Sequence, residues 1–308
     1  MSRRFIAAAA QLGPIARDEP RRDVVARMVR LVEEARRRGV SWLVFPELAL
    51  TTFFPRWFME RQSEVDRFFE TRMPSADVQP LFDAARGAEI AFHLGFAEKV
   101  DDSGVERRFN TAILVDRAGR IVHKYRKVHL PGHRDHEPQR PFQHLEKRYF
   151  ERGDLGFPVT TVEDCRAGVL ICNDRRWPEA FRMLGLNGVE MVMAGYNTPR
   201  HYPLAPEHDR LQDFHNHLCL QAGAYQNGTY VVGAAKAGVE EGCELIGGSC
   251  VVAPTGEILA VAATLGDELV CAAVDLDRCA EIKRNIFNFA QHRQPDTYGL
   301  LTQGVGQL

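Results

Sequence analysis

A chain of 308 residues, 45 % hydrophobic and 26 % charged, has the make-up of an ordinary folded protein and excludes a disordered or fibrous one. Its 39 basic and 41 acidic residues leave a formal net charge of −2, so there is no electrostatic case for nucleic acid or a membrane surface as partner. No apolar run is long enough to span a bilayer.

In chain order, the opening MSRRFIAAAAQLGP has a short apolar run that meets Gln11 with no clear cleavage site, and it reads as a first core strand. A helical pattern follows from about Arg21 to Arg38 and closes at Gly39; the cations Arg36, Arg37 and Arg38 suit its C-terminal dipole. WLVFPE is the next strand, then helical material through Phe69 and again from Ala76 to Arg86. IAFHLGFAEKV, FNTAILVD and RIVHKYRKV are strand-like, the last two joined by a turn at Arg117-Ala118-Gly119. After a polar loop come RAGVLIC, a helix from Pro178, VEMVMAGY, and a long helix from His208 to Gln226. TYVVGAAK, IGGSCVVAP, GEILAVAA and ELVCAAVDL are strands, with a hairpin-type turn at Pro254-Thr255-Gly256, and a last helix runs from near Asp275 to about Phe289. Helices between apolar strands predict an α/β fold, and the hairpins a mixed sheet. No repeat or low-complexity linker divides the chain, so one domain over 1–308 is expected.

The seven cysteines, Cys165, Cys172, Cys219, Cys243, Cys250, Cys271 and Cys279, form no C-x-x-C pair and sit mostly in apolar runs such as LCLQA and VCAAVDL. That usage fits a reducing, cytoplasmic setting with cysteines as small core hydrophobes.

Three strand ends carry chemistry: WLVFPE ends on Glu47, RIVHKYRKV carries Lys127 near its exit, and RAGVLIC ends on Cys172. Sites in α/β sheets gather at strand ends, where a base, an oxyanion stabiliser and a nucleophile can converge. Each residue also has an ordinary structural use. Glu47 can cap a helix, Lys127 can be one surface cation beside Lys124 and Arg126, and Cys172 can be core like Cys271. Cys172 is the best candidate because Asn173, Arg175 and Arg176 follow it, and cations lower a thiol pKa; a low-pKa thiolate there predicts sensitivity to oxidation. HDRLQDFHNH supplies a rival, a metal-dependent hydrolase: His208 and His215 lie about two turns apart with Asp209 nearby, in the stretch from His208 to His217, but the H-E-x-x-H step is missing.

The segments VFPELAL, HKYRKVHLPG and VLICNDRRWPEA, in that order, resemble the carbon–nitrogen hydrolase (nitrilase) superfamily. PELALTTFFPRW, RPFQHLEKRYFERGDLGFPV, ICNDRRWPEA, GYNTP and the ending DLDRC…IFNF…HRQP…YGL narrow the resemblance to N-carbamoyl-D-amino acid amidohydrolases, over nearly the whole chain. The resemblance implies a four-layer αββα sandwich, no metal or organic cofactor, and a Glu–Lys–Cys triad at Glu47, Lys127 and Cys172. It places Glu146 as a further active-site carboxylate; an ion pair with Lys147 or Arg148 is its structural alternative. The implied reaction converts an N-carbamoyl-D-amino acid to D-amino acid, ammonia and carbon dioxide. β-Ureidopropionase, aliphatic amidase and nitrilase activities are the alternatives within the superfamily.

The α-carboxylate of such a substrate calls for a planar cation, for which Arg175 stands ahead of Arg176; a surface or dimer ion pair is the alternative use of either. Asn173 and Asn197 offer a donor and an acceptor each to the ureido or carboxyl group. His129 and His144 flank the Lys127 and Glu146 motifs, to orient the acids or simply to pack. A homodimer or homotetramer is implied, with the tail after about residue 276 in its contacts.

Overall fold

The computed structural model describes residues 3–303. Its strands are β1 (Arg4–Gln11), β2 (Val40–Val44), β3 (Phe69–Glu70), β4 (Ala91–Asp102), β5 (Val105–Val115), β6 (Ile121–Arg126), β7 (Val159–Val162), β8 (Cys165–Ile171), β9 (Met191–Tyr196), β10 (Tyr230–Ala235), β11 (Ala237–Glu240), β12 (Cys243–Ile246), β13 (Cys250–Val252), β14 (Ile258–Val261) and β15 (Glu268–Asp275). Its α-helices are α1 (Arg21–Arg37), α2 (Gln62–Asp66), α3 (Gln79–Gly87), α4 (Glu146–Tyr149), α5 (Pro178–Leu186), α6 (Gln212–Asn227), α7 (Asp277–Asn285) and α8 (Phe289–His292).

One sheet has the order β15-β1-β2-β4-β5-β6, with β3 also on β4; the second has the order β14-β13-β10-β9-β8-β7. β1, β2 and β4 run parallel, as do β8, β9 and β10 and the short β3 on β4, and the other pairs of the two sheets are antiparallel, as the expected mixture of crossovers and hairpins requires.

Alternation along β1 shows how the layers form. Ala7 and Ala9 face the second sheet, in one core with Val169, Val192 and Val232, while Ala8 and Ala10 face α1 and α3. The helix α1 returns Val24, Val25, Met28, Leu31, Val32 and Ala35, a helical-period stripe, to that outer face. α5 and α6 cover the second sheet with Phe181, Leu184, Leu220 and Ala224. The layers are therefore helix, sheet, sheet, helix. Among the described residues no helix is long and apolar enough to cross a membrane.

Three expected elements differ. The stretch after Glu47 is mostly irregular up to Phe69, apart from one 3-10 turn (Phe54–Arg56) and α2. Its phenylalanines do not make a helical stripe; Phe53, Phe54, Phe68 and Phe69 cluster with Leu145, Tyr149 and Phe150 around that turn. The long helix starts at Gln212, because Pro206 opens a 3-10 turn over Pro206–Leu211. The last helix stops at Asn285 and resumes only as the short α8.

Between the sheets, His93, Leu114 and His123 stand in one row across β4, β5 and β6. Burial holds both imidazoles down to about 4, so they are neutral in the folded protein. An unfolded histidine takes its proton near pH 6.5, so the folded state loses ground as pH falls from there toward 4, by at most about 3 kcal/mol per histidine. Denaturant midpoints should fall steeply between about pH 7 and about pH 4.5, and His123→Gln should flatten that slope. Equal slopes in the two proteins would remove His123 from the acid sensitivity.

Candidate active site

Four residues lie just beyond strand ends: Glu47 after β2, Lys127 after β6, Cys172 after β8 and Asn197 after β9. Cys172 opens the 3-10 turn Cys172–Arg176 with a φ of 46°, left-handed backbone that an L residue holds only when its surroundings impose it. Two side chains impose it. Asp174, fully buried, accepts from Ile171 N–H at 3.1 Å and from the Tyr125 hydroxyl at 2.8 Å. Arg175 donates through Nη1 to the Cys172 carbonyl at 2.7 Å. The strand thus ends in a fixed elbow at Cys172, a residue 6 % exposed.

The thiol donates to the Asn197 carbonyl at 3.5 Å, and Asn197 N–H donates to Glu47 Oε2 at 3.1 Å, so one residue bridges the thiol and the carboxylate. Glu47 Oε1 accepts from Lys127 Nζ at 2.7 Å and from Asn110 Nδ2 at 2.7 Å. Lys127 also donates to Glu146 Oε2 at 2.6 Å, and His144 Nε2 lies 3.3 Å from Glu146 Oε1. The side chains of Glu47, Lys127 and Glu146 are entirely shut off from solvent. Two carboxylates so placed depend on the ammonium between them. An ammonium has three N–H donors; two are engaged, and the third is left for an oxygen that gains charge.

Burial pushes the Glu47 carboxyl above its ordinary range, with Glu146 adding to the rise against the pull of Lys127, which makes Glu47 the better proton acceptor of the two. Burial acts on Glu146 in the same sense, but Lys127 and His144 more than offset it, and it stays ionised with a lowered pKa. Cys172 corrects the sequence expectation of a thiolate. Burial and the Glu47 charge push it up to about 11, beyond what Lys127 and Arg175 take back. The resting group is a thiol, which must lose its proton before it can serve as a nucleophile, and the case for easy oxidation, which rested on a depressed pKa, loses its ground.

The two arginines part company. Arg175 is buried: it donates to Asn216 Oδ1 at 3.0 Å and Thr198 Oγ1 at 2.8 Å, lies over the Tyr196 ring at 4.3 Å, and holds Nη1 at 3.8 Å from the Cys172 sulfur. Arg176 is exposed and donates to Gln212 Oε1 at 3.3 Å. His129 places Nδ1 at 2.8 Å from Asp174 and stacks on Trp177, so it braces the elbow from behind. Asn173 donates to the His129 carbonyl at 3.1 Å. Both donor groups of Asn197 serve Glu47, through N–H and through Nδ2 to the Glu47 carbonyl at 2.9 Å.

His208 and His215 meet edge to face with ring centres 5.6 Å apart, while Asp209 turns to His201 at 2.6 Å. Among the described residues no three His, Cys, Asp or Glu side chains gather as a metal-holding set, so the rival cluster lacks a third donor.

Asn110, Asp174 and Tyr125 were not among the expected site residues. Asn110 left a signal: an amide in the middle of FNTAILVD, on a strand interior that is otherwise apolar. Asp174 and Tyr125 left none, since their pairing spans 49 positions.

A thiol, a proton acceptor and a cation at the exits of a two-sheet sandwich are the parts of an acyl-transfer site. The family model for carbon-nitrogen hydrolases matches residues 6–284, and the chain belongs to that family. It is a hydrolase of carbon–nitrogen bonds in amide-type substrates. A nitrilase of Pyrococcus abyssi is 31% identical over 80% of this chain and 81% of its own. The N-carbamoylputrescine amidase of Arabidopsis thaliana is 29% identical over 92% and 91%, and the omega-amidase NIT2 of Homo sapiens 27% identical over 90% and 92%. Among solved structures, a carbon-nitrogen hydrolase of Helicobacter pylori G27 superposes with a TM-score of 0.82 at 24% identity, over 98% of this chain and 99% of the other. The amidase of Nesterenkonia sp. AN1, in a form whose active-site cysteine carries the acetamide moiety of fluoroacetamide, superposes with a TM-score of 0.67 at 22% identity, over 92% and 96%.

Proposed function

We propose that the protein hydrolyses N-carbamoyl-D-amino acids to D-amino acid, ammonia and carbon dioxide, with Cys172 as nucleophile, Glu47 as general base and acid, and Lys127 as oxyanion donor. The observation that carries the substrate class is Arg175, a buried guanidinium 3.8 Å from the sulfur. Three protein oxygens and the Cys172 sulfur engage four of its five N–H donors, which leaves one N–H and a positive charge with no carboxylate partner for a substrate carboxylate beside the reacting carbon. Arg176, exposed at the next position, is the second candidate for that carboxylate. A neutral aliphatic amide or nitrile would leave the cation unanswered. A relative named for a carbamoylated amine supports a ureido group at the reacting end, and the D series rests on the resemblance of ICNDRRWPEA and GYNTP to N-carbamoyl-D-amino acid amidohydrolases.

The ureido carbonyl is a weak electrophile because both nitrogens delocalise into it. Attack forms the S–C bond while the thiol proton passes to Glu47, and the oxyanion meets the free Lys127 N–H and backbone N–H groups past Cys172. Collapse breaks a C–N bond, and the departing nitrogen takes the proton back from Glu47. Water, activated by Glu47, then releases the carbonyl carbon from sulfur as a carbamic acid, its proton returning through Glu47 to the thiol, and the carbamic acid's remaining C–N bond breaks as it falls apart to carbon dioxide and the second amine. Glu146 keeps Lys127 charged and in place throughout. One water is consumed per ureido group. The exposed apolar Ile286, Leu300 and Leu301 support the tail as an oligomer contact, within a homodimer or homotetramer.

The test is ammonia release from N-carbamoyl-D- and N-carbamoyl-L-phenylglycine by wild type and Cys172→Ala. Turnover of the D substrate, lost in the variant by at least about 10³-fold, is expected. Turnover of a simple amide, nitrile or β-ureido acid alone would move the substrate to one of the alternative classes of the superfamily. Activity that survives in Cys172→Ala would end the thiol mechanism.

A further inference from the structure

Apart from the site itself, the described structure holds a second buried ionic cluster. Glu240, the last residue of β11, is 0 % exposed, as is Lys236; Arg56 is 2 % exposed. Lys236 Nζ donates to Glu240 Oε2 at 2.9 Å and to the Thr51 carbonyl at 2.9 Å. Arg56 donates through Nη2 to Glu240 Oε1 at 3.1 Å and through Nη1 to the Glu240 carbonyl. Thr52 Oγ1 and Phe53 N–H donate to Oε1 at 3.2 and 2.7 Å, and Ile15 N–H donates to Oε2 at 3.0 Å. None of these groups reaches the thiol.

What the cluster holds is the backbone that carries both acids. The loop leaving Glu47 is gripped at Thr51, Thr52, Phe53 and Arg56, all through Glu240 or its partner Lys236. The same turn then serves as a platform: the Arg56 carbonyl accepts from Gln143 N–H and the Pro55 carbonyl from Leu145 N–H, each at 2.8 Å. Glu146 is the next residue after Leu145, and Phe53 meets the ring of His144, its partner, edge-on at 5.7 Å. Lys236 N–H in turn donates to the Tyr196 carbonyl at 3.2 Å, one residue before Asn197, the bridge between thiol and Glu47.

We propose that Glu240 is a positioning residue for catalysis: by tying the 51–56 turn to β11 it fixes where Glu47 and Glu146 stand against Lys127 and Cys172. A buried carboxylate with this many donors has a steep geometric demand, since losing its charge leaves two buried cations to find other partners. A turn released by a fraction of an ångström shifts both acids together, and reacting groups lose rate quickly with misplacement. The inference rests on the roles proposed above for Cys172, Glu47 and Glu146.

The decisive variant is Glu240→Gln, isosteric but uncharged, in the full chain. Steady-state kinetics on the carbamoyl substrate should show kcat down at least about tenfold with KM within about threefold, because the substrate-facing groups stay put. The rate at which iodoacetamide alkylates Cys172, followed by mass spectrometry at neutral pH, should shift about tenfold as well, because both the proton acceptor and the negative charge that govern thiol ionisation move with Glu47. That second readout needs no substrate, so it decides on Glu240 even if wild type proves inactive on every carbamoyl compound and only the substrate assignment falls. A folded variant with kcat and alkylation rate within about twofold of wild type, and only a lower melting temperature, would overturn the proposal. Should Glu240→Gln fail to fold, Arg56→Lys keeps the charge but loses the fork onto Glu240; a drop in kcat with a shifted alkylation rate supports the proposal, and unchanged rates overturn it.

Discussion

Replacing Lys127 with methionine should abolish measurable hydrolysis and cost the fold about 3–5 kcal/mol at neutral pH. Nζ sits between Glu47 at 2.7 Å and Glu146 at 2.6 Å, and all three side chains are closed to water. Removing the cation leaves two buried carboxylates with no countercharge between them, and one must take up a proton to stay folded. On catalysis, the loss is double. In the proposed mechanism the oxyanion donor goes, worth about 10²–10³-fold by itself, and Glu47 becomes part of a carboxyl pair sharing a proton when that mechanism needs it free to receive one. The combined effect should exceed about 10³-fold.

The pH dependence distinguishes this cause from simple loss of packing. In the variant both carboxyls have folded pKa values raised above the unfolded carboxylate value of about 4.3. A raised carboxyl destabilises the fold at any pH where the unfolded chain is ionised, and the penalty vanishes as the unfolded chain becomes protonated. The difference in unfolding free energy between wild type and Lys127→Met should therefore shrink from about pH 7 toward about pH 4, as measured by denaturant titration at each pH. A constant difference across that range would mean that the ammonium serves mainly as volume, and that the carboxylates are neutralised by other means.

How much of this was legible beforehand follows from the distance over which each signal acts. Glu47, Lys127 and Cys172 each close an apolar strand within a few residues, so a local pattern exposes them. Arg175 is harder. Its identity is visible beside Cys172, but its burial depends on Asn216 and Thr198, 41 and 23 positions away, and on the Tyr196 ring. The thiol pKa failed for the same reason: the cations next to it in sequence are plain, whereas the burial and the Glu47 charge that outweigh them come from tertiary packing. β11 and β12 escaped notice because AGVE and CELI are short and carry acids, one of which turns inward as Glu240 to meet cations from distant segments. The strand and helix order, by contrast, follows from hydrophobic period alone, and β1 and α1 fall where their patterns predict. The loop from Glu47 to Phe69 defeats the period because its aromatic residues pack around a turn.

Gly195→Ala should be as damaging to activity as many active-site substitutions, although glycine has no functional group. Gly195 on β9 and Gly95 on β4 close on the Pro46–Glu47 backbone from opposite sheets. A Cβ on Gly195 would lie 2.6 Å from Glu47 N and 2.8 Å from the Pro46 carbonyl carbon, with His93 Cε1 at 3.1 Å; one on Gly95 would lie 2.6 Å from the Pro46 carbonyl oxygen and 2.8 Å from Glu47 Cα. The nearest atoms in the way are main chain, so no rotamer change relieves the clash, and the backbone of Glu47, the proposed general base, must move or the sheets must part. Overpacking of this kind costs about 1–3 kcal/mol. The kinetic cost is larger, because Glu47 is the group displaced and an offset near 1 Å lowers a rate by about 10²-fold. Exposed Gly87, where a Cβ meets nothing within 4 Å at the end of α3, provides the control: Gly87→Ala should leave activity intact and leave stability unchanged or raise it by up to about 1 kcal/mol. Melting temperature and kcat measured on both variants separate the two costs. If Gly195→Ala lowers the melting temperature yet keeps kcat near wild type, the Glu47 backbone has slack that the two flanking sheets conceal, and the close approach of those glycines serves packing alone. If kcat collapses while the fold survives, the placement of the base is set by the width of the gap between the sheets, and the two glycines belong to the catalytic geometry as much as the acid they flank.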